Sequence, residues 1–146
     1  MSTSNTVMLR VVGSPVRGEA LCDGTPLPGH LLKKVSTGHV AVHATAGGFT
    51  AGVFAIEDEA QGKDITTAYT ASTICQYWIP RKGDIVQARL KASENVAIGD
   101  PLESAGDGTL QKYTANTADI HTGNIVGFAE EASNVGTVAR IAVSIR

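Results

Sequence analysis

The stretch from Tyr77 to Tyr113 constrains the fold most, because short apolar runs alternate in it with turn residues. Its turns lie at residues 80–83, 99–101 and 106–108, where proline presets φ or glycine permits a positive φ. Between the first two turns, residues 84–90 alternate between two faces with the period of a β-strand. Strands this short are not stable alone, so the stretch predicts an all-β fold in which the rest of the chain supplies partner strands.

The remaining chain repeats this pattern and predicts a single-domain β-barrel or sandwich of short antiparallel strands. We place the β domain at residues 7–146 and a flexible polar arm at residues 1–6. A chain of 146 residues can bury roughly 70% of its unfolded surface, so its core does not need disulfides or a bound metal for stability. The predicted strands are residues 7–12, 16–22, 31–35, 39–44, 53–56, 74–79 and 124–129, and a last strand whose Ile141, Val143 and Ile145 face the core.

A weak internal echo links two parts of the chain. Residues 24–27 (GTPL), followed by Leu32 and Lys33, resemble residues 99–102 (GDPL), followed by residues 110–112 (LQK). Two hairpin units with a shared pattern would produce this echo, and so would turn chemistry alone.

The composition excludes several classes of protein. The formal net charge is −2 and the basic residues are scattered, which does not fit a nucleic-acid-binding surface. No apolar run is long enough to span a bilayer, and the polar N-terminus lacks the features of a secretion signal. We therefore expect synthesis in the cytoplasm, with Cys22 and Cys75 as buried, reduced thiols.

None of the polar clusters has the spacing of a catalytic or metal-binding site. His39 and His43 lie four residues apart on a predicted strand, roughly 13 Å along it, so we expect exposed side chains that cannot chelate one ion. His30 and His121 lie in loops without a cysteine or acidic ligand at suitable spacing. The acidic loop at residues 57–64 is expected to be exposed and lacks the alternating ligands of a calcium loop. We predict no enzyme activity, no cofactor and no metal.

One enzyme family stays open as an alternative. Residues 83–88 (GDIVQA) resemble a strand motif of the trimeric all-β dUTPases, whose length this chain shares. That family has an acidic residue three positions before a tyrosine in its nucleotide pocket, where this chain has Thr66 before Tyr69. Its arginine-serine-serine phosphate motif is not found either. The resemblance is therefore confined to one strand.

Five motifs together resemble a family of small structural proteins encoded in the head-gene modules of tailed bacteriophages. They are turn and strand motifs, informative jointly rather than singly: residues 28–33 (PGHLLK), 43–48 (HATAGG), 64–69 (DITTAY), 81–90 (RKGDIVQARL) and 99–110 (GDPLESAGDGTL). The family is similar in role to capsid decoration (head cement) proteins. The resemblance implies a virion protein on the outer capsid surface that clamps neighbouring subunits of the major capsid protein.

The resemblance also implies partners. We expect the major capsid protein and further copies of the chain, with a homotrimer favoured over a dimer because closed symmetry matches the local axes of a shell. Many weakly bound copies would act together on such a lattice. No nucleic acid or membrane is expected as a partner. A tail or baseplate β domain remains an alternative to shell decoration.

Two segments are predicted to contact the capsid. A disordered polar arm that leads into an apolar strand can become ordered by strand addition. An acidic loop can meet a basic patch on a partner, with a contact that weakens as salt screens it. The residues chosen on these grounds are Ser2, Thr3, Asn5, Val7 and Leu9 in the first segment, and Glu57, Asp58 and Glu59 in the second.

Overall fold

β-Strands joined by short turns form most of the regular structure in this computed structural model, which describes residues 4–115 and 124–146. A short 3-10 helix lies at Glu59–Gln61. The strands are β1 (Met8–Arg10), β2 (Val16–Leu21), β3 (Leu31–Lys34), β4 (Val40–Val42), β5 (Val53–Ala55), β6 (Ile74–Ile79), β7 (Ile85–Leu90), β8 (Asn95–Val96), β9 (Pro101–Ser104), β10 (Leu110–Lys112), β11 (Gly127–Ala129), β12 (Ser133–Asn134) and β13 (Ala139–Ile145).

Strands β2 to β6 form the N-terminal barrel. Their order is β2-β6-β5-β3-β4, and each neighbouring pair is antiparallel. The barrel closes where Cys22, just after β2, meets Val40 of β4 in a parallel bridge. Asp23 N donates to Val40 O at 2.8 Å at this point. Closure removes much of the open edge that a flat sheet would leave.

Strands β7, β9, β10, β11 and β13 form the C-terminal barrel, in the order β7-β13-β11-β9-β10. It closes in the same way, because Leu90 at the end of β7 pairs in parallel with Leu110 of β10. Lys91 N then donates to Leu110 O at 2.8 Å. Strand β1 pairs antiparallel with the other end of β7, and β8 pairs with β12 in a small ribbon.

The two barrels have the same topology. The strands with corresponding neighbours are β2 and β7, β3 and β9, β4 and β10, β5 and β11, and β6 and β13. Hydrogen bonds outside the ladders repeat as well. Gly29 N donates to Ala55 O at 2.8 Å, and Gly99 N donates to Ala129 O at 2.7 Å at the corresponding place. The compact domain therefore contains two copies of one supersecondary unit.

The turn that enters β3 recurs before β9 with different side-chain chemistry. His30 Nδ1 accepts a hydrogen bond from Leu27 N at 3.1 Å in the first copy. Asp100 Oδ2 accepts one from Ala97 N at 2.9 Å in the second. An imidazole nitrogen and a carboxylate oxygen thus accept from backbone donors at corresponding positions. Different side chains can therefore hold the same turn in the two copies.

The barrel interiors keep their volume by compensation. Gly18 and Tyr77 are cross-strand neighbours in the N-terminal barrel, and Val86 and Val143 hold the corresponding places in the C-terminal barrel. A Cβ added to Gly18 would lie 2.5 Å from Tyr77 Cζ, so the glycine makes room for the ring. One barrel therefore combines the smallest residue with a large one where the other combines two of medium size.

A continuous hydrophobic core joins the barrels. The interior of the N-terminal barrel forms one cluster, which includes Leu32 and Tyr77. A second cluster fills the C-terminal barrel and extends to Leu31, Phe54 and Trp78. Because side chains alternate along a strand, these three point outward from the N-terminal barrel, towards its neighbour. The two copies are thus packed against each other through buried apolar side chains.

The predicted all-β class and barrel architecture are confirmed, and each predicted strand contains an observed strand of equal or shorter length. The antiparallel prediction holds apart from the two parallel contacts that close the barrels. Two details differ from what the sequence suggests. The predicted strand at residues 124–129 looks buried throughout, yet Phe128 is partly exposed, because its position on β11 faces outward. The internal repeat is present but in a different register, since Gly29 rather than Gly24 corresponds to Gly99.

Candidate functional site

The two segments predicted to bind a partner meet each other in the structure. Val7, immediately before β1, is fully buried, and its N–H donates to Glu57 Oε1 at 2.6 Å. Val7 O accepts a hydrogen bond from Gln87 N at 2.8 Å. A charged acceptor strengthens such a bond, so this contact fixes the root of the N-terminal segment on the barrel.

Side chains of the C-terminal barrel hold the residues just before Val7. Gln87 Nε2 donates to Ser4 O at 2.9 Å and to Thr6 O at 2.8 Å. Arg140 also donates to Ser4 O, at 3.1 Å. These bonds attach the backbone to β7 and β13 from residue 4 onward. The arm prediction for residues 1–6 therefore concerns, in its first half, residues outside the described ranges.

The acidic loop is only partly exposed, and the expectation that Glu57 lies on the surface is wrong. Glu57 is buried because it follows the core strand β5 and satisfies the Val7 N–H. Asp58 is half-buried and Glu59 is exposed, 3.9 Å from Arg17 in a weak surface ion pair.

The predicted residues of the first segment divide in the same way. Asn5 is exposed and Leu9 is half-buried, whereas Val7 is buried in the core. Ser2 and Thr3 lie outside the described residues. The exposed members of the two predicted segments among the described residues are thus Asn5 and Glu59, and the buried members hold the segments together.

Sequence reasoning missed Gln87 and Arg140, which hold the N-terminal segment. Gln87 is fully buried in the middle of β7, and its side chain points to the outer face of the barrel. A buried amide must find hydrogen-bond partners. A glutamine between Val86 and Ala88 was the available signal, although alternation alone assigns it to a solvent-facing position.

His43 is buried, so the expectation that it is exposed is wrong. Its Nε2 lies 2.9 Å from Phe49 O and its Nδ1 lies 2.7 Å from Ser104 Oγ. Since a carbonyl only accepts, Nε2 carries the proton and Nδ1 accepts from the hydroxyl. Ser104 is fully buried and has no exposed face for a substrate. This serine–histidine contact therefore fastens the 45–52 loop to β9 and presents no accessible nucleophile.

The other described histidines are hydrogen-bonded, and the cysteines are buried. Burial and the nearby Arg89 guanidinium lower the pKa of His30 to about 4, so its imidazole stays neutral and accepts from the backbone. His39 is partly exposed, with Nδ1 2.8 Å from Asp23 Oδ1. Burial raises the pKa of the Cys75 thiol to about 12, which makes a thiolate scarce at neutral pH. His121 lies outside the described residues.

Cys22 and Cys75 are both buried and unbridged, as predicted. Within residues 4–115 and 124–146, no three metal-ligating side chains come together. The same residues contain no helix of the length and apolarity needed to cross a bilayer.

Open concavities lie on the N-terminal barrel, including the following two. One, of about 510 Å³, is mostly apolar and is lined by the exposed ring of Phe49 together with Val53 and Ile79. The other, of about 470 Å³, lies over β2 and β6 and is lined by Glu19 and Ile74 among others. Asp58 and Lys63 also line the second concavity, and His43 lines the first.

No known family profile and no curated protein matches this sequence. Among solved structures, the chain is similar to the head fiber gp8.5 N base in bacteriophage phi29. The match covers 90% of this chain and 95% of that chain, with a TM-score of 0.55 and 15% sequence identity. The two proteins share a fold.

Proposed function

We propose that this chain is a structural protein of a tailed-phage virion that binds the outer surface of the capsid. The observation that carries the proposal is its likeness in fold to a phage head-fiber base over nearly the full length of both chains. The motif resemblance to head decoration proteins also supports a location on the head of the virion. The protein would stabilise the shell by binding across neighbouring subunits of the major capsid protein. At each site it would bind as a homotrimer.

The described structure suits a protein that acts by binding to a surface. Ser104 and His43 are buried in a structural contact, and the cysteine thiols are enclosed in a barrel. Many copies on a symmetric shell would add weak contacts into strong attachment. The mechanism is therefore burial of complementary surface, which an expanding or pressurised shell must break to come apart.

Attachment would use the N-terminal segment and the adjacent end of the acidic loop. Val7 and Glu57 anchor the root of the segment to the barrel. Asn5 and Glu59 are then presented to solvent near that root. Ser2 and Thr3 precede them and are part of the proposed contact.

The location is tested by a particle reconstruction of phage that carry this protein, with phage lacking the gene as the control. We expect density of this size on the outer capsid surface that is lost with the gene. Density confined to the tail or baseplate would instead support the alternative function, and absence from the particle would overturn both. A purified sample should show no dUTP hydrolysis; turnover would revive the enzyme alternative.

The attachment surface is tested by binding of variants to capsids that lack the protein. Deletion of residues 1–6 should reduce occupancy, and Glu59→Lys should weaken binding at low salt. Glu130→Lys makes the same charge change at an exposed position on the other barrel and is the matched control. Undiminished occupancy for the deletion would remove the arm from the proposal, and a salt-independent Glu59→Lys effect would argue against an electrostatic contact.

A further inference from the structure

The junction between the two barrels consists of a loop of one barrel set against a strand of the other. The loop at residues 26–30 of the N-terminal barrel lies on β7. Arg89 N donates to Gly29 O at 3.3 Å, and Arg89 Nε donates to Pro28 O at 2.8 Å. Arg89 sits on β7 between the segments that pair with β1 and with β10. The loop thus occupies an edge position that neither strand covers.

The C-terminal barrel repeats the loop half of this junction and leaves it uncovered. Ile98 occupies the place of Pro28 in the repeated turn, and Phe128 occupies the place of Phe54. Pro28 and Phe54 are buried, whereas Ile98 is 70% and Phe128 is 38% exposed. We call residues 96–100 together with Phe128 the loop surface.

The N-terminal barrel repeats the strand half and leaves it uncovered as well. Leu21 precedes the barrel-closing Cys22 as Arg89 precedes the barrel-closing residue of β7. Cys22 N donates to Thr73 O on the β6 side, and N–H directions alternate along a strand. The N–H groups of Glu19 and Leu21 therefore face the open edge of β2, and the Leu21 N–H is the counterpart of the one that binds Gly29 O.

Apolar side chains border this open edge. Leu21 is 38% exposed and its cross-strand neighbour Ile74 is 47% exposed. The corresponding pair on the C-terminal barrel is Arg89 and Arg140, so the second site has exchanged two cations for two aliphatic side chains. The concavity of about 470 Å³ lies beside this pair. We call β2 together with Ile74 the strand surface.

We infer that the loop surface of one copy binds the strand surface of a second copy, as the two barrels of one chain bind each other. Ile98 and Phe128 of the loop surface, with Leu21 and Ile74 of the strand surface, are four of the eight large hydrophobic side chains exposed in the described residues. Burying them against each other removes apolar area that water would otherwise contact. Ile98 would meet Leu21 and Ile74, and Gly99 O would accept from Leu21 N.

The arrangement is heterologous, because each copy contributes a different surface to each contact. A heterologous contact closes into a ring when its rotation permits and otherwise extends as a filament. The inference rests on the self-association in the proposed function and not on the capsid. Purified protein therefore tests it, and failure to bind capsids would leave it standing.

The first test compares the mass of Leu21→Glu and Ile98→Glu with that of the wild type by sedimentation velocity over a wide concentration range. Each variant places a carboxylate in one surface and should be monomeric where the wild type associates. Val138→Glu is the matched control, since Val138 is 48% exposed and belongs to neither surface. Circular dichroism and thermal melting check that all three variants remain folded.

The second test mixes the two disrupted variants in equal amounts. Leu21→Glu keeps an intact loop surface and Ile98→Glu keeps an intact strand surface, so the mixture should form dimers and nothing larger. A symmetric contact of either surface with itself would give no such complementation. A monomeric wild type, wild-type mass in either variant, or a mixture that stays monomeric would each overturn the inference.

Discussion

The compensation between Gly18 and Tyr77 makes a prediction whose sign depends on the background. Gly18→Val should destabilise the wild-type protein, because the new side chain begins 2.5 Å from Tyr77 Cζ and Oη. In a Tyr77→Val background, the same substitution should stabilise the protein. The double variant then carries the Val–Val pair that the C-terminal barrel has at Val86 and Val143.

The magnitudes follow from packing. Overfilling a core costs about 1–3 kcal/mol, and the better strand propensity of valine returns up to about 1 kcal/mol. Tyr77→Val alone removes a ring that is only 7% exposed and should cost about 2–4 kcal/mol through the cavity that remains. Gly18→Val then fills part of this cavity, so we expect a coupling free energy of about 1–3 kcal/mol between the two positions.

Urea unfolding of the wild type, both single variants and the double variant measures the cycle, provided that the m-value stays constant. Gly136→Val is the control, because a Cβ there meets no atom within 4 Å, so this variant reports the effect of valine without the clash. If Gly18→Val changes the free energy of unfolding by the same amount in both backgrounds, the compensation argument is refuted.

Three further predictions concern the buried polar groups. Glu57→Ala should cost about 1–3 kcal/mol, because it leaves the Val7 N–H buried without an acceptor, whereas Glu57→Gln keeps an oxygen there and should cost less; equal losses in urea unfolding would show that the acceptor is unimportant. The pKa of His30 is lower in the folded chain, at about 4, than its ordinary value of 6.5, so the unfolded chain binds more protons between these values and stability should fall as pH drops through that window, by up to roughly 3 kcal/mol. His30→Asn should flatten that part of a pH series of urea midpoints while still accepting from Leu27 N, and an unchanged slope would contradict the assignment. The Cys75 thiol should react with a maleimide only as fast as the protein opens, and fast labelling under native conditions would mean that the N-terminal barrel is not closed.

The sequence pattern does not predict the contact between Val7 and Glu57. The sequence predicts a binding role for Val7 as part of an apolar strand and for Glu57 because of its acidity, yet the two residues bind each other. Glu57 is buried because a backbone donor far away in sequence needs an acceptor. His43 is buried for a similar reason, since Ser104 and Phe49 meet it only after β9 and the 45–52 loop come together.

Sequence alone determined the strands, the turns and the inward faces, because these depend on periodicity and on residues with restricted or permissive backbones. Residues such as Val86, Ala88 and Leu90 alternate into the core as their spacing predicts. Tertiary structure decided how the strands close and that the domain is built twice from one unit. The two copies share the register of their hydrogen bonds and the volume of their paired side chains, not their residues. His30 holds the place of Asp100, and Gly18 with Tyr77 holds the place of Val86 with Val143. Many side-chain combinations satisfy the same geometry, so the repeat is clear in the fold but hard to detect in the sequence.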